Sequence, residues 1–374
     1  MPKYRFDEIA INSTEKKKPV ETDKDTYIGL EHLDSGCLEV TRWGAEVAPV
    51  GDKLVMHKGD VLFGRRRAYQ KKVSIAPFDG IFSAHGMVLR PIESVITKEF
   101  FPFFISSDYF LDAAIKISVG SLSPTINWRD LAKLEFQIPP LDEQASLSSV
   151  LWAMNRLKMA YTDLLQQADA LVQSQFVEMF RHIPETDYVT LQSVCKLITD
   201  GTHNPPKFVS QGIPFLLVSN ITGNVVTYDT DKFITEETYY ELMKRTPVEE
   251  GDILLSTVGS YGHPAIVESA KRFSFQRHIA HLKPDHSVID SHFLHSAILS
   301  SDVQRQIDVL VLGVAQKTLN LSAIKSIRIP LPTMAEQEEY NQFVQETDKS
   351  KLAIRQALES LEKSRSAIMT KVFG

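Results

Sequence analysis

Apolar positions along this chain change period twice. In each half of the chain short apolar runs bounded by Gly, Pro, Asp and Asn come first, at Val61–Phe63 and Val73–Ala76, then at Phe215–Val218 and Ile253–Leu255, and such runs predict strands. Mixed segments at Phe100–Ala114 and Phe293–Ile307 predict helices, with Phe100, Phe101, Phe103 and Phe104 as core. Two stretches of about 40 residues, one before Ile183 and one before the C-terminus, then run without Gly or Pro. In the first, Leu147, Val150, Met154, Leu157, Tyr161, Leu164, Ala168 and Leu171 alternate spacings of three and four, an a/d seam. In the second, Tyr340, Phe343, Ile354, Ala357, Leu361 and Ile368 keep the spacing, while Thr347 and Ser350 dilute it. A lone exposed apolar seam is unstable, so the two helices are expected to bury against each other as an antiparallel coiled coil. The competing arrangement folds each helix onto its own domain.

The double change of period reflects a duplication. Thr125–Gln144 lies over Thr318–Gln337 without a gap at an offset of 193, with Thr, Asn, Pro, Glu and Gln identical at five positions. Gly59–Tyr69 lies over Gly251–Tyr261 at 192, Phe82–Pro91 over Phe275–Pro284 at 193, and Tyr27–Leu33 over Phe215–Ile221 at 188. Four collinear matches describe one unit written twice. The expected division is a first globular domain over 1–140, a helix over 141–183, a second domain over 184–332 and a second helix over 333–374. Together these make an α+β fold with two pseudo-repeated domains separated by two long helices.

The 374 residues are 43% hydrophobic and 24% charged, ordinary for a soluble globular protein. Two cysteines, Cys37 and Cys195, exclude a disulfide framework and a cysteine zinc cluster. No apolar run approaches the ~18 residues of a membrane span, and the N-terminus has no apolar signal core. A cytoplasmic location and no membrane partner are expected. The net charge of −6 argues against a protein that coats nucleic acid, but charge is segregated: Lys53 to Arg90 holds eight basic and two acidic residues.

Catalytic signatures are missing. The chain has no phosphate-binding glycine loop, no nucleophile elbow and no zinc-protease helix. His281, His286, His292 and His295 are dense in sequence but complete no metal-ligand spacing. Asn204-Pro205-Pro206 resembles the Asn-Pro-Pro-aromatic motif of adenine methyltransferases, yet Lys207 follows and Phe208 comes one place late. A turn with tandem prolines is the better reading. No cofactor and no metal is expected on this chain.

What remains is a set of donor-rich loops at matching places. In the first unit these are Arg65, Arg66, Arg67, Tyr69, Lys71 and Lys72 after a strand, with Lys53 and Lys58 before it. Ser83 and His85, then Ser121 and Ser123, complete the set. The second unit offers His203, Ser256, Thr257, Ser260, Tyr261, His263, Gln276, Arg277, Gln316 and Lys317. Arginine and lysine suit phosphate, and arginine, glutamine and serine also suit base edges. The same residues populate solvated turns in many proteins.

Three features together resemble the specificity subunits of type I restriction–modification systems. They are the Gly-Asp strand starts (GDVLF, GDILLS), the Thr-x-Asn stretches running through Ile-Pro or Leu-Pro to Glu-Gln before each long helix, and ITDGTHNPP. The resemblance covers nearly the whole chain. It implies two target-recognition domains that each read one half of a split site in double-stranded DNA, with the coiled coil setting the spacer. It further implies a non-catalytic subunit that docks two modification subunits, which bind S-adenosylmethionine and methylate adenine; restriction subunits that translocate DNA can join them. The first unit has no Asp-Gly-Thr-His equivalent near Ile9–Lys18. Two other readings are the recognition portion of a self-contained methyltransferase–nuclease and a scaffold that binds only protein.

Overall fold

The computed structural model describes residues 1–313 and 317–373. The chain forms two compact units, Met1–Tyr161 with Gln356–Gly374, and Thr162–Arg355. Each unit therefore contains one part of each long helix, so compactness does not follow the linear division expected from sequence.

The first unit has two four-stranded sheets and a short antiparallel pair, Lys3–Arg5 with Glu135–Gln137. In one sheet, antiparallel strands run in the order Ala10–Ser13, Met87–Pro91, Val61–Phe63, Val73–Ile75. In the other the order is Lys16–Lys17, Lys53–Met56, Gly80–Phe82, Tyr27–Ile28, and the last pair is parallel. The second unit repeats the first sheet as Cys195–Asp200, Ile279–Pro284, Ile253–Ser256, Pro264–Ile266. Its second sheet has three strands, Phe233–Ile234, Ile213–Leu216, Ser274–Phe275, again ending in a parallel pair. The central strands Val61–Phe63 and Ile253–Ser256 are buried throughout, which is why they appear in sequence as continuous apolar runs rather than alternating ones.

The Gly-Asp pair opening each central strand has one structural job in both units. Gly59 and Gly251 take φ of 92° and 87°, a left-handed turn that favours glycine. Asp60 and Asp252 are buried and accept the backbone N–H of His57 and Glu249, each at 2.8 Å. Arg90 grips Asp60 at 2.8 and 2.9 Å. In the second unit His281 takes Asp252 at 2.7 Å, with Lys283 at 3.4 Å. A buried carboxylate needs such partners.

The predicted helices each break in two at a serine cap. Asp108–Lys116 follows Phe101–Ile105 with Ser107 as N-cap, and Ser301–Leu310 follows Ser291–Leu299 with Ser300 as N-cap. Each serine hydroxyl accepts an N–H of the following helix, which satisfies a donor that would otherwise be orphaned.

The long helices span Leu141–Phe180 (α1) and Met334–Phe373 (α2), 40 residues each, or about 60 Å. In the first unit Lys158 of α1 pairs with Glu362 of α2 at 2.7 Å, and Leu147 and Leu151 share a core with Ile368 and Val372. In the second unit Asp169 pairs with Lys351 at 2.7 Å, and the Tyr340 hydroxyl donates to the Val172 carbonyl at 3.3 Å. In each unit numbering rises along one helix as it falls along the other, so the pairing is antiparallel.

The expected seam of α1 needs correction. Leu147, Met154, Tyr161 and Ala168 are half-buried, but Val150 and Leu157 in the first unit are 49% and 41% exposed, and Leu164 and Leu171 in the second are 45% and 51% exposed. The enclosed line in the first unit runs instead through Gln144, Ser148 and Leu151, continuing to Asn155 and Lys158. Periodicity identifies heptad spacing without fixing which of two adjacent faces turns inward. Here polar residues win, because each finds a partner: Asn155 donates to the Glu39 carboxylate and Lys158 to the Gly36 carbonyl at 3.0 Å. On α2, Phe343, Ile354, Leu361 and Ile368 are half-buried, as the spacing suggests. Thr347 returns its hydroxyl to the Phe343 carbonyl at 3.0 Å, while Ser350 is exposed.

The junction into each helix explains its repeated Glu-Gln. Gln144 and Gln337 are fully buried. The Gln144 side chain accepts from Thr97 N and donates to Val95 and Pro139 carbonyls; Gln337 accepts from Asp290 N and donates to Val288 and Pro332 carbonyls. Glu336 in turn accepts from the Thr333 N–H and hydroxyl at 2.8 and 2.7 Å, capping α2.

Candidate nucleic-acid interface

In the first unit three loops meet beyond the end of strand Val61–Phe63. The Arg66 N–H donates to the His85 carbonyl at 3.2 Å, the Arg67 N–H to Pro124 at 2.8 Å, and the Ile126 N–H to Arg65 at 2.9 Å. This backbone clamp holds the arginine loop against the turn Val119–Thr125, whose ends bridge each other. Arg66, Arg67, Tyr69 and His85 are exposed. An Arg66 guanidinium nitrogen lies 3.3 Å from His85 Nε2. Burial lowers the His85 pKa, and the Arg66, Arg65 and Lys53 charges push the same way. At neutral pH this imidazole is uncharged and can both donate and accept.

The second unit repeats the clamp. The Leu319 N–H donates to Thr257 at 2.8 Å, and the Gly259 N–H to Lys317 at 3.4 Å, matching the bonds at Arg65 and Arg67. Arg67 and Gly259 share a left-handed backbone, with φ of 52° and 74°. His278, the counterpart of His85, likewise has a pKa lowered by burial and by its neighbour Arg277. A cleft of about 240 Å³ opens here, lined by Asp200, His203, Thr257, Arg277, His278 and Thr318 among others. Among the described residues no His, Cys, Asp or Glu cluster could hold a metal ion.

A family model described as the type I restriction modification DNA specificity domain matches residues 10–163 and again 185–363. The chain belongs to this family. It is 28% identical over 177 residues to the specificity subunit of the type I restriction enzyme EcoBI of Escherichia coli, covering 46% of this chain and 37% of that one. It is 21% identical over 302 residues to the MjaVIII specificity subunit of Methanocaldococcus jannaschii, covering 71% and 69%. The matched stretch is thus less than half the length of the E. coli subunit. Two solved chains share the fold. One comes from work on complex assembly and conformational transition of the type I R-M system, with a TM-score of 0.56, 19% identity and coverage of 100% and 97%. The other is the type I S subunit from M. genitalium, with a TM-score of 0.50, 14% identity and coverage of 100% and 96%.

Within these specificity domains the expected contact residues divide into three groups. Arg65, Arg66, Arg67, Tyr69, His85, Ser121 and Ser123 gather at the first domain's loop cluster, and Lys53 lies close enough to influence His85. His203, Ser260, Gln276, Arg277 and Lys317 take the corresponding place in the second, while Gln316 lies outside the described residues. Lys58 is set apart, on the turn at the opposite end of strand Val61–Phe63, where its N–H binds Asp79.

The remaining expected contacts are internal. Lys71 is held by Asp108 and Asp112 at 2.6 and 3.0 Å, and Lys72 reaches inward to the Leu30 carbonyl at 2.6 Å. Charge counting along the sequence could not show carboxylates supplied from elsewhere. Ser83 is buried and accepts the His85 N–H at 3.3 Å; Ser256 is fully buried and accepts the His263 N–H at 2.9 Å. Thr257 is buried at the cleft wall. These three shape the loops from within. Tyr261 donates to Asp308 at 2.9 Å, whereas its counterpart Tyr69 is 55% exposed; His263 faces Asn224 at 3.3 Å. The Asn-Pro-Pro segment is a loop whose Phe208 stacks edge-on against Phe215 at 5.3 Å.

His278 and Asp200 lie in the polar stretches Phe275–His278 and Asp200–His203 that the repeat comparison marks, whereas Arg245, which pairs with Asp200, was not foreseen. Arg245 lies in a segment without a counterpart in the first domain, so no internal comparison points to it.

Proposed function

We propose that this chain is the DNA-reading subunit of a type I restriction–modification complex, with each domain recognising one half of a split duplex site. The carrying observation is the repeated loop clamp, one backbone framework that presents arginines and a neutral histidine in the first domain and a polar cleft in the second. Arg66 and Arg67 are exposed where phosphates would neutralise them, and each such contact contributes about 0.9 to the slope of log affinity against log salt. Base selection falls to arginine, histidine and glutamine side chains, whose donor and acceptor patterns match base edges. Two modification subunits would bind S-adenosylmethionine and carry out adenine methylation, with restriction subunits joining them. The exposed Val150 and Leu157 of the first unit, and Leu164 and Leu171 of the second, are apolar surfaces suited to such subunits.

Methylome sequencing of cells expressing the chain with its modification subunits tests this. The expected result is a split methylated motif, one half of which changes when residues 1–140 are exchanged for those of another specificity subunit. Absence of any split motif, or a change in both halves, refutes the reading.

A further inference from the structure

Resting on that DNA-reading role, we infer that Arg245 is a guanine-reading residue of the second domain, aimed by Asp200 and His203. Asp200 ends the strand Cys195–Asp200 at the cleft, and its side chain is only 13% exposed. One carboxylate oxygen accepts from an Arg245 terminal nitrogen at 2.5 Å, and the other meets His203 Nε2 at 2.9 Å. Both oxygens are thus engaged, and the acidic charge faces a guanidinium instead of the DNA.

The Arg245 side chain remains 53% exposed. Its Nε and Nη1 make no hydrogen bond among the described residues, so Nη1 together with the second hydrogen of the Asp200-bound Nη2 leaves one edge of the planar fork available. Guanine O6 and N7 are two acceptors spaced for that edge. A guanidinium braced on one edge is already oriented, so little rotamer freedom is lost when the other edge binds.

Location supports the role. Arg277 donates its N–H to the Thr202 carbonyl at 3.0 Å, which ties the Asp200–His203 turn to the loop carrying Gln276, Arg277 and His278. Arg245 follows the helix Glu236–Met243, in the part of the second domain where the two repeats differ. The clamp loops already differ in side chains, Arg65–Arg67 against Thr257–Gly259, and Arg245 adds a difference outside the clamp. A phosphate contact would need only positive charge; the braced fork supplies direction as well.

The test is selection from a randomised duplex library by the full chain assembled with its modification subunits. Wild type is expected to select guanine at one position of the half-site assigned to the second domain. Arg245→Ala and Arg245→Lys should both lose that preference ten- to a hundredfold, with the other half-site intact, which also reports a folded chain. Asp200→Asn should weaken it by a smaller factor. If Arg245→Lys keeps the preference while Arg245→Ala lowers only the salt dependence, Arg245 is a phosphate contact and the inference is wrong. Unchanged selection by Arg245→Ala reduces the pair to a surface ion pair. A wild-type assembly that selects no split site overturns the DNA-reading role itself, a distinguishable failure.

Discussion

Replacing Gln144 by leucine should cost the chain about 3–5 kcal/mol. The substitution roughly keeps volume and deletes both polar ends of a fully buried side chain. Three hydrogen bonds disappear, at 2.7 Å from Thr97 N, 2.9 Å to Val95 and 2.8 Å to Pro139. At a net of about 1 kcal/mol each they contribute about 3 kcal/mol, and the orphaned Thr97 N–H adds a desolvation penalty of about 1–3 kcal/mol. Burying leucine carbons returns about 1 kcal/mol. Urea unfolding should show a lower midpoint at an unchanged slope. Gln337→Leu should cost somewhat less, because its bond to Val288 is longer at 3.3 Å. Gln144→Glu separates donor loss from packing. Its carboxyl would face two carbonyls and fold protonated, so its folded pKa lies above its unfolded one. The folded state then binds the extra proton, and stability falls as pH rises above about 4, whereas Gln144→Leu shows no such slope. A Gln144→Leu loss below about 1 kcal/mol would refute the view that this glutamine locks the helix to its domain.

Arg67→Gly should stabilise the chain by about 1 kcal/mol, since a non-glycine residue pays that for a left-handed backbone, while reducing both DNA affinity and its salt slope; thermal melts and titrations at several salt concentrations decide, and unchanged affinity would remove Arg67 from the interface. His295 is pushed by burial down to about 4 from 6.5. The unfolded state therefore binds the extra proton between these values, so stability is full above pH 6.5 and is lost as pH falls towards 4. The loss is on the order of 3 kcal/mol, and His295→Gln should flatten the dependence of melting temperature on pH; an identical slope would show that His295 does not carry it. Leu157→Gln should change stability by less than about 0.5 kcal/mol, while Leu151→Ala should cost about 2–5 kcal/mol. The reverse ranking in denaturant unfolding would restore the seam expected from sequence.

Sequence by itself determined the duplication, the central strands, the two long helices and the loop positions where the repeats carry polar residues. These are legible because strand burial, heptad spacing and Gly-Asp turns are local patterns, and a second copy within the chain confirms each one. Pairing partners are not local. Lys71 carries a positive charge in any reading of the chain, but only the fold brings Asp108 and Asp112 to it. Ser256 looks like a loop hydroxyl until the strand encloses it. The α1 seam shifted for the same reason: Asn155 and Lys158 turn inward because residues more than a hundred positions away, Glu39 and Gly36, accept their hydrogen bonds. Arg245 acquires a direction only from Asp200. Burial and hydrogen bonding across long sequence separations decide which polar residues face outward, and that choice belongs to the tertiary structure.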